Sequence, residues 1–252
     1  MIWLRHIARR LGYDMTPRKK AKSPNAQLVA LLQFHQIETV LDVGANIGQY
    51  GQRLRDWGYE GRIISFEPLA SAHAQLLLQS ASDPRWIVAP RMAVGDVDGE
   101  IDIQVSAETD MSSILPQSDL MRDISPSSAV KSIERVPIHR LDSVIGDYVD
   151  GDDKVFLKAD TQGFEPQVLD GATALLPQLI GIQLEMSLLP IYAGEHSYLT
   201  MIERLKTDGF SLHLVLPGYF ERKLGRMLEI DGVFVRDPSG TSSEERAAAD
   251  ET

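Results

Sequence analysis

The chain has 252 residues with 25 Lys+Arg, 36 Asp+Glu, 6 His and a net charge of −11. A hydrophobic share of 43% is enough to bury a core, and the absence of cysteine excludes disulfides, thiolate metal sites and thiol nucleophiles. The negative charge opposes general nucleic-acid binding, which rests on neutralising phosphates.

The charge is unevenly placed. Residues 1–22 hold seven basic residues (Arg5, Arg9, Arg10, Arg18, Lys19, Lys20, Lys22) against the single acid Asp14. Trp3, Leu4, Ile7 and Leu11 recur at helical spacing, with Arg5, Arg9 and Arg10 largely off that stripe, which predicts a short basic amphipathic arm. Such an arm suits peripheral contact with an anionic membrane, and it equally suits packing on the body or on a second subunit of a homodimer. The apolar run before Arg5 is shorter than a secretory signal, and no stretch approaches the roughly 20 apolar residues of a membrane span. The expectation is a cytoplasmic protein, with the arm as its means of touching the inner face of the membrane.

Two prolines then mark a linker, and a helix is expected over Gln27–His35, capped by Ser23 or Asn25. From residue 39 apolar strands and helices alternate. TVLDVG reads as a strand, IGQYGQRLRDWG as a helix, RIISFEP as a strand and LASAHAQLLLQSAS as a helix. RWIVAPRMAV reads as one strand with a Pro-distorted end, and IDIQVS as another. Residues 106–140, rich in Ser, Asp and Pro, read as a long loop of the kind that forms lids. VFLKAD, EPQVLDGATALLP, GIQLEMS and TMIERLKTDGF continue strand, helix, strand, helix, and SLHLVLP with IDGVFVRD reads as a final antiparallel pair. The last residues, 238–252, have the composition of a disordered tail. The organisation is a basic arm (1–22), one α/β domain (23–237) and a tail (238–252). The alternation predicts a three-layer sandwich, a mostly parallel sheet with helices on both faces.

The first strand ends in Asp42-Val43-Gly44-Ala45-Asn46-Ile47-Gly48, a glycine turn that opens a helix. Glycines there let the backbone approach a ligand closely. Asn46 replaces the second glycine of Gly-x-Gly-x-x-Gly, the one that makes room for a pyrophosphate, and Asp42 would repel a phosphate. Glu67, at the end of the next strand, is placed to accept both ribose hydroxyls of a nucleoside. This pattern fits a cationic nucleoside without phosphates, which describes S-adenosylmethionine (SAM). Against it stands the reading in which Asp42 and Glu67 only cap helices. Ala93, in Ala93-Val94-Gly95-Asp96 after the third strand, falls where small groups meet an adenine; Asp96 serves a turn equally well.

The second chemical segment is Val155-Phe156-Leu157-Lys158-Ala159-Asp160. A buried strand rarely carries Lys without a partner, because desolvating a charge is costly. Lys158 and Asp160 share a face of the strand, either as a proton-transfer or substrate-orienting element or as a structural ion pair. Asp160, Glu165 and Glu185 can converge at one sheet edge as a general base. They also allow a hard divalent cation, though no metal is expected. Glu165 has the alternative of meeting a helix dipole. His139 is a second base candidate, and a lone His in an apolar segment is more often structural. No Asp/Asn-Pro-Pro-aromatic tetrapeptide follows Asp160, which argues against methylation of nucleic-acid bases.

In family order, VLDVGANIGQYG, IISFEP, MAVGD, MSSIL, HRLDSVI, VFLKADTQGFEPQVLDGA and IQLEMSLLPIYAG resemble the FkbM family of SAM-dependent methyltransferases over about residues 38–194. The resemblance implies a Rossmann-like, seven-stranded sheet with a reversed C-terminal strand. It also implies O-methylation of a hydroxyl on a sugar, a glycan or a related secondary metabolite, as in polysaccharide biosynthesis. On that reading Asp42, Gly44, Asn46 and Gly48 hold the methionine end, Glu67 holds the ribose, and Ala93 and Ser113 close on the nucleoside. Asp160 and Lys158 face the methyl and the acceptor, with Glu185 and His139 as secondary bases. The alternative is a non-catalytic SAM- or nucleoside-binding module with a membrane- or partner-binding N-terminal helix.

Overall fold

The computed structural model describes residues 23–106, 112–125 and 130–237. The expected basic arm (1–22) and the expected tail (238–252) lie outside the described residues.

In chain order, α1 (Pro24–Phe34) leads to β1 (Thr39–Val43), α2 (Gln49–Asp56), β2 (Arg62–Phe66), α3 (Ala70–Ser80) and β3 (Trp86–Val88). β4 (Ala93–Val94), β5 (Gly99–Ser106), α4 (Asp119–Ile124) and β6 (Val130–His139) follow. Next come α5 (Leu141–Val144), β7 (Val155–Ala159), α6 (Glu165–Asp170), β8 (Leu179–Ser187) and α7 (Tyr198–Thr207). The described chain closes with β9 (Phe210–Pro217), the short pair β10 (Phe220–Glu221) and β11 (Arg226–Met227), and β12 (Glu229–Arg236).

Seven strands form the central sheet in the order β3-β2-β1-β7-β8-β12-β9. β1, β2, β3, β7 and β8 run parallel, and β12 is antiparallel to both β8 and β9. The order reverses between β1 and β7, the switch point outside which ligands bind in open α/β sheets. This is the Rossmann-like sheet with a reversed last strand.

Each sheet face has its own core. Leu41, Val43, Ile64, Leu157 and Ile182 pack with Leu141 of α5, Val168 of α6 and Leu205 of α7. On the other face Val40, Ile63, Phe156 and Val233 pack with Leu32 of α1, Leu54 of α2 and Leu76 of α3. Each such fully buried side chain contributes about 1.5–3 kcal/mol. The twofold alternation of strands places Asp42, Lys158 and Gln183 on the second face, in register across β1, β7 and β8. One step towards the strand ends on that face stand Asp160, Glu185 and, opposite Glu185, Asp231 of β12. A polar strip therefore crosses the carboxyl edge of an otherwise apolar face.

Three expectations are corrected. α1 starts earlier than Gln27, because Pro24 is pre-shaped for a first helical turn; Ser23 stands at the cap position without a side-chain cap bond. RWIVAPRMAV is two strands: β3 ends before Pro90, and β4 joins a separate sheet of order β4-β6-β5. Residues 106–140 are not one long loop, since β6 pairs antiparallel with β5 over Gly99–Ser106. Among the apolar residues of β6 only Val136 and Ile138 are buried, while Val130 and Ile133 are exposed, so its alternation is too thin to read. Cross-strand pairs such as Arg135 Nε to Glu100 Oε2 at 3.0 Å accompany the ladder. No helix among the described residues is long and apolar enough to cross a membrane.

Candidate active site

A cavity of about 580 Å³ opens at the carboxyl ends of β1, β2, β7 and β8. The turn after β1 forms one wall. Gly44 there has φ 73°, and a Cβ on it would lie 1.9 Å from the backbone O of Asp160. Only glycine lets the turns after β1 and β7 meet this closely. Asn46 follows with φ 48°. Its N–H donates to Glu67 Oε2 at 2.8 Å, while its Oδ1 is buried in the cavity wall with no hydrogen-bond partner. Glu67 Oε1 accepts from Leu69 N at 2.8 Å. Burial pushes the Glu67 carboxyl up to about 7, although those two N–H groups and Lys158 pull it back. Each of its oxygens keeps a further lone pair, so ribose hydroxyls can still donate to it.

Met92, Ala93, Val94, Ile103, Ser112 and Ser113 line the opposite side. Ser113 Oγ donates to the Gln162 carbonyl at 2.7 Å and accepts from Leu115 N at 3.0 Å.

Two residues expected at the cofactor lie behind the wall instead. Asp42 is 0% exposed and lies outside the cavity lining. It accepts from Ser65 Oγ at 3.2 Å and sits 3.0 Å from Lys158 Nζ. That second contact is an ion pair off the hydrogen-bond axis, since Asp42 Oδ1 has no geometrically sound donor. Among the described residues the Asp42 carboxylate thus meets Ser65 and Lys158, behind the cavity wall. Gly48, with φ 94°, packs on Leu76 and Trp86 at the start of α2 and shapes the turn.

Lys158 reaches the cavity wall and spends its ammonium on the protein. It donates to Gly44 O at 2.9 Å and Val43 O at 3.3 Å, pairs with Asp160 at 3.5 Å, and lies 5.4 Å above the Tyr50 ring. Burial alone lowers its pKa, but Asp42 and then Asp160 outweigh burial and raise it. Its contacts tie the turns after β1 and β7 together.

Asp160 and Glu185 meet in the cavity. Burial raises the Asp160 pKa, yet Lys158 and a hydrogen bond from Glu185 hold it below the usual range. Glu185 is pushed well above its range by burial and then by the Asp160 charge. The two carboxyls are driven in opposite directions, Asp160 towards the carboxylate and Glu185 towards the acid. Gln162 binds both, its Nε2 lying 3.2 Å from Asp160 Oδ1 and 2.7 Å from Glu185 Oε2. Its own Oε1 accepts from the Tyr192 hydroxyl. Gln162 has φ 57°, a strained conformation for a non-glycine residue. Gln162 lies within the motif VFLKADTQGFEPQVLDGA, but the sequence reading gave it no role; its place before Gly163 in the turn after β7 was the further signal.

His139 stands apart from this group. It lies outside the cavity lining, with Nδ1 3.3 Å from Asp98, whose carboxyl also binds Arg140 and Ser143. The structure does not bring it to Asp160 and Glu185. Glu165 binds the Thr161 N–H at 2.6 Å and the Thr161 hydroxyl at 3.1 Å, in a local turn. Glu229 and Asp231 of β12 also line the cavity, and sequence reasoning did not single them out. Among the described residues no group of three His, Asp or Glu side chains is arranged to hold a metal ion.

The methyltransferase FkbM domain model matches residues 42–212. The chain belongs to the FkbM methyltransferase family. No curated protein matches it. Magnesium protoporphyrin IX methyltransferase from Synechocystis, solved with bound SAM, is 12% identical, with 84% of this chain and 78% of that chain covered and a TM-score of 0.45. A TehB-like SAM-dependent methyltransferase from Corynebacterium glutamicum is 12% identical, with 94% and 96% covered and a TM-score of 0.41.

As an FkbM methyltransferase, the protein uses SAM as its cofactor. The residues present fit that group. Gly44 lets the turns after β1 and β7 close up as one wall, Glu67 offers carboxylate acceptors, and the unpartnered Asn46 Oδ1 awaits a donor. Among the described residues Lys158 and Arg53 are the only Lys or Arg in the lining, and Lys158 is committed to Asp42 and Asp160, so the cavity has little to offer a phosphate.

Proposed function

We propose that this FkbM methyltransferase methylates oxygen, on a hydroxyl of a sugar, a glycan or a related secondary metabolite. The observation that carries the reading is the Asp160–Glu185 pair, bridged by Gln162, in the same cavity as the cofactor-binding turn.

An alcohol is a poor nucleophile while it keeps its proton. Bound SAM supplies an electrophilic methyl on a sulfonium sulfur. The protein has to hold the acceptor oxygen in line with that methyl and take its proton as the new bond forms. Asp160 is the acceptor for this proton, because Lys158 and the Glu185 hydrogen bond keep it ionised. Lys158 fixes the turns after β1 and β7 relative to each other through Gly44 O and Asp160. Gln162 keeps Asp160 and Glu185 from turning away, and Tyr192 holds Gln162. Glu67 and Asn46 orient the nucleoside end.

The test is methyl transfer to a panel of hydroxylated saccharides by the wild type and by Asp160→Asn. The reading expects Asp160→Asn to bind S-adenosylhomocysteine normally and to lose at least about a hundredfold in turnover, the span of general-base catalysis. Full turnover by Asp160→Asn would remove Asp160 from the chemistry.

A further inference from the structure

β12 brings to the cavity two acids that the methyl-transfer reading leaves unused. Glu229 and Asp231 are two residues apart on β12, so both side chains leave the same face of the strand, and Asp231 stands in register with Glu185 of β8. All three line the cavity, together with Pro217, Gly218 and Tyr219 from the turn after β9.

Glu229 is only 8% exposed, and among the described residues its carboxyl has neither a hydrogen bond nor an ion pair. Asp231 accepts one bond, from Gln183 Nε2 at 3.2 Å. Glu185 accepts from Gln162 Nε2. Lys158 and Arg53 lower the Asp231 pKa through space without outweighing its burial. Lys158 is committed to Asp42 and Asp160, and exposed Arg53 makes no ion pair with any of the three acids.

Burying carboxyls against one another without a cation is costly. Burial pushes Glu229 up to about 8 and Asp231 up to about 6, with the Asp160 charge adding to both. Part of the charge is therefore quenched by protons, at a cost that a cationic ligand would turn into attraction. Neutral hydroxyls would relieve this wall less well, because they bring no opposite charge.

We propose that Glu229 and Asp231, with Glu185 beside them, form an acceptor subsite for an ammonium group. The substrate is then a hydroxyl compound that also carries an amine, an amino sugar being the simplest such class. This rests on the O-methylation reading above and specifies its acceptor.

The experiment uses the full chain loaded with S-adenosylhomocysteine and matched sugars read by ligand-observed NMR and calorimetry. The pairs are glucosamine with N-acetylglucosamine and glucose, and galactosamine with N-acetylgalactosamine and galactose. The amino sugars are expected to bind at least about tenfold more tightly than their neutral partners. The Glu229→Gln, Asp231→Asn double variant is expected to lose that preference and keep wild-type affinity for S-adenosylhomocysteine. Equal binding of amino and neutral sugars, or binding of no amino sugar, overturns the proposal using the wild type alone. An equal loss of S-adenosylhomocysteine affinity in the double variant also overturns it, by assigning the acids to the cofactor. A methyl delivered to the sugar nitrogen would refute oxygen transfer while leaving ammonium recognition in place, so the two failures are distinguishable.

Discussion

Replacing Lys158 by Met keeps an unbranched side chain, one atom shorter, and removes its charge. Lys158 is 3% exposed and Asp42 0%, so neither charge can turn to water once the other is gone. Removing one partner of a buried pair costs about 3–5 kcal/mol, mostly as the penalty on the charge left behind. Asp160 is partly open to the cavity and adds less. Against a typical domain stability of about 5–15 kcal/mol this is a large fraction. Lys158→Met is therefore expected to unfold at much lower urea, and Lys158→Met with Asp42→Asn is expected to recover part of the loss, since no buried anion is then stranded. The pH dependence has a definite sign. In the wild type Asp160 is held below its usual range, so its contribution is present above about pH 4 and is lost as pH falls through the folded value. Without Lys158, burial dominates and the Asp160 value rises, so the penalty is felt at neutral pH and fades on acidification. Urea titrations at pH 7, pH 5 and pH 3 read both effects. A Lys158→Met loss under about 1 kcal/mol at pH 7, the worth of an exposed pair, would refute the reasoning.

Other outcomes follow from the same geometry. Gly44→Ala places a Cβ against Asp160 O and adds about 1–2 kcal/mol for left-handed backbone, so calorimetry is expected to show no S-adenosylhomocysteine binding; retained affinity contradicts the close approach. Ribose hydroxyls donate to an ionised carboxylate, and burial pushes Glu67 up to about 7, so cofactor affinity is expected to rise between about pH 6 and pH 8. Glu67→Gln is expected to bind about tenfold more weakly with a flatter profile, and an unchanged profile assigns the titration to another group. Gln162→Met removes the amide that lowers the Asp160 pKa, so the acid limb of the kcat/KM profile is expected to move to higher pH. An unmoved limb would leave Gln162 a structural role only.

Much of this was legible in the residues. TVLDVG and VFLKAD read as buried strands because β1 and β7 are covered on both faces, while the close approach that Gly44 permits is to the backbone of the turn after β7. Other features depend on which strands lie side by side. Lys158 shares a face with Asp160 by simple alternation, yet its closer partner is Asp42, which only the β1–β7 register brings opposite. Glu229 and Asp231 enter the site because β12 runs backwards between β8 and β9, so that its first residues lie at the carboxyl edge. β6 escaped notice because a hairpin with two buried apolar side chains has little pattern to show. His139 looked like a base in an apolar segment, but its partner Asp98 comes from the turn before β5 and draws it out of the cavity.

The central claim is methyl transfer to oxygen with Asp160 taking the proton. The most direct measurement incubates the protein with SAM carrying a deuterated methyl and a mixture of neutral and amino saccharides, then locates the label by fragmentation mass spectrometry. The account predicts label on a hydroxyl oxygen with wild-type protein and none with Asp160→Asn. Label on nitrogen, or equal oxygen labelling by both proteins, would contradict it.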